Sequence, residues 1–564
     1  MAVSPPLGIS DFRLLRQSNA TYVDKTAAIA DVLRNPAQVL LFPRPRRFGK
    51  TLLLSTLQAF VERGSDDHER LFGDLAIWND PAARQHLGRY PVIAMTFKDV
   101  KLSAWDECLE SLGGVIAGAF AAHRDVRAAL DGTDAETFDA VLERRAGKVR
   151  LMESLAFLCR VVHRHHGERV VLLIDEYDSP IHAGHVHGYY ERVIEFFRNF
   201  LSGGLKDNSH LFKGVLTGIL RVAKESIFSG LNNLSVFSLL HPAFGSAFGF
   251  TEPEVADLLD RAGLADRREE VQRWYNGYVF GRTVVYNPWS VLSFLANAPY
   301  DMAPQPYWVS TSSNELIKEL LVSHAARMQP ELEALLAGQR VVRPVDENVA
   351  FPELAQDADA VWSLLVFSGY LKAEEHAPPS ALGPATYALS IPNLEVRQVY
   401  AGTFQVWMKE QARAGGGDVE RLTRALLAGD AEAFEAQLQA FATHVLSYHD
   451  TGLPEPEKLY HGFILGLLAV LEPHYVVRSN RESGHGRPDV QIRPAAPGNP
   501  GVLLELKVAR PGRITIEDAL AQGLAQIARN GYATELRAAG AQPIHALAVA
   551  FDGKTVRVQA ASPG

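Results

Sequence analysis

Short apolar runs alternate with stretches of helical period through the first 235 residues. Leu40-Leu-Phe-Pro43, Tyr90-Pro-Val-Ile-Ala-Met-Thr-Phe97, Val170-Val-Leu-Leu-Ile174 and Phe212-Lys-Gly-Val-Leu-Thr-Gly218 read as strands, the second as a core strand. The third is a short unbroken apolar run, which reads as a fully buried parallel strand. Between them, Leu52–Gln58, most of 103–168 (with Asp131-Gly-Thr-Asp134 as a break) and the segment through Val193, Ile194, Phe196 and Phe197 carry helical spacing. Strand and helix in alternation predict an α/β fold with a largely parallel sheet.

The pattern changes near residue 245. Thr251-Glu-Pro-Glu254 is a helix start, with Thr251 as N-cap, Pro253 early in the helix and Glu254 at the capping-box position. Trp274-Tyr-Asn-Gly-Tyr278 and Tyr286-Asn-Pro-Trp289 read as aromatic turns that anchor a small helical domain, in preference to platforms for stacking bases. Residues 373–386 resemble a linker or a long hairpin loop, and Ala414-Gly-Gly-Gly-Asp418 a flexible joint. Farther on, Tyr460–Gly466 opens a helix, and Arg487–Arg493 and Gly501–Val508 read as two strands joined by a turn. No internal repeat is evident. The expected domains are 1–245, 246–395 (mainly helical, lid-like or winged-helix-like) and 396–564.

A chain of 564 residues has room for about three domains at roughly 100–200 residues each. No apolar run approaches the roughly 18–20 residues of a membrane span, and the N-terminus lacks the pattern of a signal peptide. Cys108 and Cys159 are the only cysteines, which excludes a disulfide framework and fits a reducing cytoplasm. The net charge of -9 does not advertise nucleic-acid binding, although a local basic groove remains compatible with it.

Three stretches carry chemistry. Gly49-Lys50-Thr51 stands where a strand turns into a helix, the place of a phosphate-binding loop. There Gly49 admits close approach of backbone N–H groups, Lys50 reaches the β/γ-phosphates, and the Thr51 hydroxyl ligates Mg²⁺. Arg44 occupies the position of the usual first glycine. Asp175 and Glu176 emerge from the C-terminal end of the next buried strand but one, suited to hold Mg²⁺ through water and to orient or deprotonate a water. Thr217 ends a further strand and Arg221 follows it, placed to sense or stabilise γ-phosphate charge. Tyr22 and Asp24 fit either a pocket lining or a surface turn with a helix cap.

The third stretch is C-terminal. Glu505 and Lys507, two apart on one strand, share a face that Leu504 and Leu506 do not. With Asp489 on the neighbouring strand, Glu505 can bind a divalent cation, and Lys507 can position a water or stabilise developing charge. A salt-bridged pair on a sheet face is the plain alternative. Glu482 could support the site, and Gln522 or Gln526 could point to it from the following helix. The histidines at 163, 165 and 166, and at 182, 185 and 187, flank the acidic strand. Their spacing is not diagnostic of a metal, and His182–His187 reads as a solvated loop.

Taken in order, Tyr22-Val-Asp-Lys-Thr26, Arg44-Pro-Arg-Arg-Phe-Gly-Lys-Thr51, Ile174-Asp-Glu-Tyr-Asp178, Thr217–Asn233, Trp274–Tyr278, Tyr286–Ser290, Tyr460–Phe463, Ser479–Arg487 and Leu504–Lys507 span nearly the whole chain. On these motifs the sequence resembles the bacterial AAA-ATPase-like proteins with a C-terminal PD-(D/E)XK nuclease-superfamily domain. The resemblance implies a P-loop NTPase sheet at 1–245, the helical middle domain, and a restriction-endonuclease-like α/β domain at 396–564. It implies ATP bound by Arg47, Phe48, Gly49, Lys50, Thr51, Asp175 and Arg221, with Mg²⁺ at Thr51 and Asp175 and Glu176 in the catalytic role. In the second domain, Asp489 and Glu505 would hold Mg²⁺ and act with Lys507 on nucleic acid, DNA before RNA. In the resembled family Arg44 is the usual residue of the loop. A cytoplasmic location is expected, no membrane partner is, and homo-oligomerisation is left open. The rival reading is a nucleotide-switched binding protein whose nuclease-like domain is a silent docking surface; an ATPase acting on a protein partner is the third.

Overall fold

The computed structural model describes residues 3–561 apart from 65–66, 221–226, 228–231, 301–302, 309–319, 321–323, 337, 356, 380–383, 403–417, 446–455, 472–473, 480–487, 510–512 and 531–532. The chain forms two compact units, one of residues 1–312 and 342–395, the other of 313–341 and 396–564. Among the described residues no helix is long and apolar enough to cross a membrane, and both cysteines are buried and free.

The first unit is built on a five-stranded sheet: β1 (Val39–Pro43), β2 (Val92–Thr96), β3 (Val170–Asp175), β4 (Leu211–Gly218) and β5 (Leu234–Val236). The spatial order is β2-β3-β4-β1-β5, and every pairing is parallel. Parallel neighbours need crossover connections, and helices supply them. Lys50–Val61 follows β1, Trp105–Ala122 and Lys148–His166 lead to β3, and Tyr190–Leu205 leads to β4. β1 and β3 are buried at every position, the property that the unbroken apolar run of β3 announced.

Two local expectations are corrected. Asp131–Asp134 does not interrupt helix: Gly132–Leu142 is helical, with extended Asp131 as its cap and Asp134 in its first turn. The interruption is the extended pair Leu130 and Asp131, between the 3₁₀ turn Arg124–Ala129 and the helix, so only the first residue of the expected break falls in it. His182 and His185 are not on a solvated loop either. Pro180, early in the helix Ser179–Val186, starts a helical turn, and both imidazoles lie against Phe351 at 5.6 and 5.5 Å.

Beyond β5 the same unit continues through helices Glu252–Ala262, Arg268–Tyr275, Pro288–Asn297 and Ala358–Phe367. The Thr251 N–H donates to Glu254 at 2.7 Å, as the capping pattern predicts. Two small sheets join these helices: the hairpin β6 (Tyr278–Phe280) with β7 (Thr283–Val285), and a three-stranded sheet of β8 (Val341–Pro344), β9 (Lys372–Ala377) and β10 (Thr386–Ser390). β9 and β10 are antiparallel, so of the expected linker or loop over 373–386, residues 373–377 and 386 are strands of a hairpin, while 380–383 lie outside the described residues. Tyr275, Tyr278 and Tyr286 are buried, Tyr275 and Tyr286 in one cluster with Leu258, Leu259 and Phe294, which makes them core anchors and not exposed stacking platforms.

The second unit holds a mixed sheet in sequence order: β11 (Tyr475–Ser479), β12 (Val490–Pro494), β13 (Gly501–Val508), β14 (Ile544–Asp552) and β15 (Thr555–Ala561). Only β13 and β14 are parallel, and the helix Ile516–Asn530 is their crossover. That helix packs Ile527 against Leu503, Ala546 and Ala548. The joint at 414–417 lies outside the described residues.

Two buried details of the first unit generate measurable expectations. Gly277 has φ +96, and a Cβ there would lie 2.2 Å from the Pro392 carbonyl oxygen. Gly277→Ala should therefore destabilise this unit by roughly 2–4 kcal/mol, read in a denaturant titration. Glu395 is fully buried, accepting the Trp308 N–H at 2.6 Å and the Ser290 hydroxyl at 2.7 Å. Burial pushes its carboxyl up to about 8 from 4.5. The native state then keeps a proton that the unfolded chain releases above 4.5. Its stabilising contribution is complete below 4.5 and is lost as pH rises through about 8, by up to about tenfold in the folding constant per pH unit. Glu395→Gln should flatten this slope between pH 5.5 and 7.5, and melting profiles that stay parallel to wild type would refute it.

Candidate functional site

β1 delivers the chain into the loop Arg44–Gly49, and Lys50 begins the helix. Gly49 caps that helix at φ +87, with nothing within 4 Å of where a Cβ would stand, so the left-handed backbone and not crowding selects glycine. Arg47 takes φ +68 without that freedom, a conformation that disfavours a side chain bearing Cβ. Lys50 is buried, and its ammonium donates to the Arg44 and Pro45 carbonyl oxygens at 3.1 and 2.9 Å. Burial lowers its pKa, while Glu176, Asp175 and Asp178 pull it back up.

The acidic stretch meets this loop through hydroxyl groups. The Thr51 hydroxyl donates to Asp175 Oδ2 at 2.7 Å, and the Thr217 hydroxyl donates to Asp175 Oδ1. Sheet register explains the second contact, because β4 lies between β1 and β3 and pairs Phe42 with Thr217 and Ile174 with Leu216. Thr217 is wholly buried, so its hydroxyl orients Asp175. Glu176 stands just past β3 at φ +51 and accepts the Ser179 hydroxyl at 3.1 Å. Arg221 lies outside the described residues.

Three features of this site were not legible beforehand. Arg44 is completely buried: Nη1 donates to the Phe237 and Pro43 carbonyls at 2.6 and 2.9 Å, and the guanidinium lies over Phe248 and Phe280 at 4.9 and 5.2 Å. Burial pulls its pKa down to about 9. The residue in place of the first loop glycine is thus an anchor of the loop's base. Asp178 is also buried and accepts the Ile219 and Leu220 N–H groups at 2.7 and 3.1 Å, tying the acidic turn to the end of β4. Gly218 permits this, since a Cβ would lie 2.8 Å from Asp178 Oδ1. Finally, the segment after β5 grips the loop. Phe48 packs on Tyr278 and Phe280 at 4.9 and 5.1 Å, Arg47 lies 4.1 Å over Trp289, and Trp308 Nε1–H donates to the Arg46 carbonyl at 3.2 Å. Tyr22 is half-buried beside Phe12, and Asp24 accepts the Thr26 N–H and hydroxyl at the start of a helix, the contacts of a helix cap.

The second unit assembles its own cluster. Val490 pairs with Leu504, so antiparallel register carries Asp489, one residue before β12, towards Glu505. Asp489 is held by the Leu506 N–H, which donates to Oδ2 at 2.8 Å, and by His461, whose Nε2 lies 2.8 Å from the Asp489 carbonyl oxygen. Lys507 Nζ donates to Glu505 Oε1 at 2.8 Å and lies 3.9 Å from Asp489 Oδ2. Glu505 is 1% exposed, and its Oε2 is buried without a hydrogen-bond donor among the described residues. Burial first, then the neighbouring Asp489 carboxylate, pushes the Glu505 carboxyl up to about 7 against the pull of Lys507. Two carboxylates, one with an orphaned oxygen, are a donor set that fits a hard divalent cation. Gly523 of the crossover helix comes within 3.8 Å of Glu505 Cγ where a Cβ would stand, while Gln522 is exposed and Gln526 is half-buried. Glu482 lies outside the described residues.

Comparison with known proteins agrees with this division. A family described as a predicted AAA-ATPase matches residues 6–228, and the PD-(D/E)XK nuclease superfamily matches 455–561. An uncharacterized protein in the vnfD 5′ region of Azotobacter chroococcum mcd 1 is 28% identical over 557 residues, 97% of this chain and 96% of that protein. That similarity therefore also runs through residues 229–454, which neither family match covers. With the phosphate-loop sheet in one unit and the Asp489–Glu505–Lys507 strands in the other, the chain joins an AAA-ATPase-like domain to a C-terminal PD-(D/E)XK nuclease-superfamily domain.

Proposed function

We propose that the protein binds and hydrolyses ATP and that its C-terminal domain is a Mg²⁺-dependent nuclease acting on nucleic acid, DNA before RNA. The observation that supports it best is the independent assembly of two phosphate-chemistry clusters from distant residues. Thr51 and Thr217 orient Asp175 in one, and β12 and β13 bring Asp489, Glu505 and Lys507 together in the other.

In the first cluster Lys50 would exchange its two loop carbonyls for phosphate oxygens, and the loop from Arg47 through Gly49 would offer backbone N–H groups. The Phe48 ring is packed away, so its part falls to its main chain. Thr51 and Asp175 would hold Mg²⁺, and Glu176 would orient a water against the γ-phosphate. Arg221 is assigned to γ-phosphate charge from sequence alone. In the second cluster Asp489 and Glu505 would hold Mg²⁺ and Lys507 would orient a water or donate to a phosphodiester oxygen. Bound Mg²⁺ would supply charge neutralisation in both places. Domains over 1–245, 246–395 and 396–564, a cytoplasmic setting and self-association belong to the same proposal.

Lys50→Ala should lose nucleotide binding, measured with a fluorescent ATP analogue, and undiminished affinity would refute the first assignment. Cleavage of linear and circular DNA by wild type with Mg²⁺ should disappear in Glu505→Ala and fall roughly 10²–10³-fold in Lys507→Ala. Cleavage that survives Glu505→Ala would refute the second assignment. Loss of cleavage when ATP is omitted would show that the two activities are coupled.

A further inference from the structure

His123, Asp125 and His166 bring one ligand atom each within 4.8 Å of one another, at a place that neither phosphate cluster uses. His123 closes the helix Trp105–Ala122, Asp125 is on the 3₁₀ turn that follows, and His166 is the last residue of Lys148–His166. The trio is built at the other end of the sheet from the nucleotide loop. His123 Nε2 lies 3.0 Å from the carbonyl oxygen of Val92, the first residue of β2, whereas Asp175 aligns with Thr96, the last. At about 3.3 Å per residue those ends are about 13 Å apart along the strand.

We propose that His123, Asp125 and His166 form a site for a borderline divalent transition-metal ion, Zn²⁺ being the natural probe. A carbonyl oxygen can only accept, so His123 carries its proton on Nε2 and offers the Nδ1 lone pair. A backbone carbonyl behind a histidine is the arrangement that fixes tautomer and ring orientation in metal sites. His166 Nε2 is 3.4 Å from Asp125 Oδ2, and His165 Nε2 is 3.5 Å from the same oxygen. Two imidazoles and one carboxylate make a donor set that tetrahedral Zn²⁺ accepts, with water completing it.

A simple ion pair explains the cluster less well. His123 is 8% exposed, and its Nε2 lies 3.0 Å from the Val92 carbonyl oxygen and not on a carboxylate. Arg63 donates to the His166 carbonyl at 3.2 Å. The C-terminal end of the helix Lys148–His166 adds a negative pole that favours a cation there. A metal at this point would pin the ends of two crossover helices to the start of β2. It would act as a structural clip for the nucleotide-binding sheet, independent of phosphate chemistry.

The test is Zn²⁺ titration of the full-length, chelator-stripped protein, in excess Mg²⁺ and in a Glu505→Ala background, so that the carboxylate cluster does not contribute. One tight site per chain is expected, with a rise in melting temperature and, on Co²⁺ substitution, the intense visible bands of tetrahedral coordination. His123→Gln and His166→Gln should each lose the site, and His185→Gln should keep it. If the buried His123 variant fails to fold, His166→Gln at the helix end decides. Absence of tight Zn²⁺ binding, or equal binding by His166→Gln, overturns the proposal.

Discussion

A carboxylate at the end of a buried parallel strand must find hydrogen-bond donors, and Asp175 finds them in the hydroxyls of Thr51 and Thr217. This one contact pattern joins three strands' worth of chain. β1 contributes the loop and its helix, β3 the acid, and β4 the threonine between them. The parallel order β2-β3-β4-β1-β5 is what places β4 there, so sheet topology and site chemistry are inseparable. Asp178 extends the pattern by taking the amides that follow β4, which leaves Glu176 at the lip of the strand.

The loop itself is held from outside the parallel sheet. Arg44 anchors its base on carbonyl oxygens and aromatic faces, while Tyr278, Trp289 and Trp308 take hold of Phe48, Arg47 and the Arg46 carbonyl. These aromatics belong to the segment that follows β5, and buried Glu395 supports Trp308 in turn. The conformation of the loop and the packing of this segment are therefore tied together. The C-terminal cluster solves a related problem differently. There two carboxylates crowd together, one lysine offsets part of their repulsion, and one oxygen of Glu505 is left without a donor among the described residues.

The gain from tertiary structure is plainest where a residue departs from a motif. Arg44 reads in one dimension as a missing glycine, yet in space it is a fully buried anchor whose partners, Phe237, Phe248 and Phe280, are about two hundred residues away. The histidines show the same limit. Spacing along the chain could not pair His123 with His166, because packing of two helices brings them together, and it suggested a loop where Pro180 starts a helix around His182 and His185.

What the sequence determined by itself was four strands of the parallel sheet (β1 to β4), β12 and β13 of the mixed sheet, the helix that Lys50 begins, and the residue types Gly49-Lys50-Thr51, Asp175, Asp489, Glu505 and Lys507; β5 to β11, β14 and β15 were not read from it. Local rules govern these: an apolar run long enough for a strand, a glycine free to turn, and a two-residue period that puts Glu505 and Lys507 on one face. The structure decided strand order, and with it that Thr217 stands beside Asp175 and that Asp489 is carried to Glu505. It also decided which aromatics clamp the loop. Those outcomes depend on pairings between residues far apart in the chain, whose partners are selected by shared burial and hydrogen-bond satisfaction, and no local pattern encodes them.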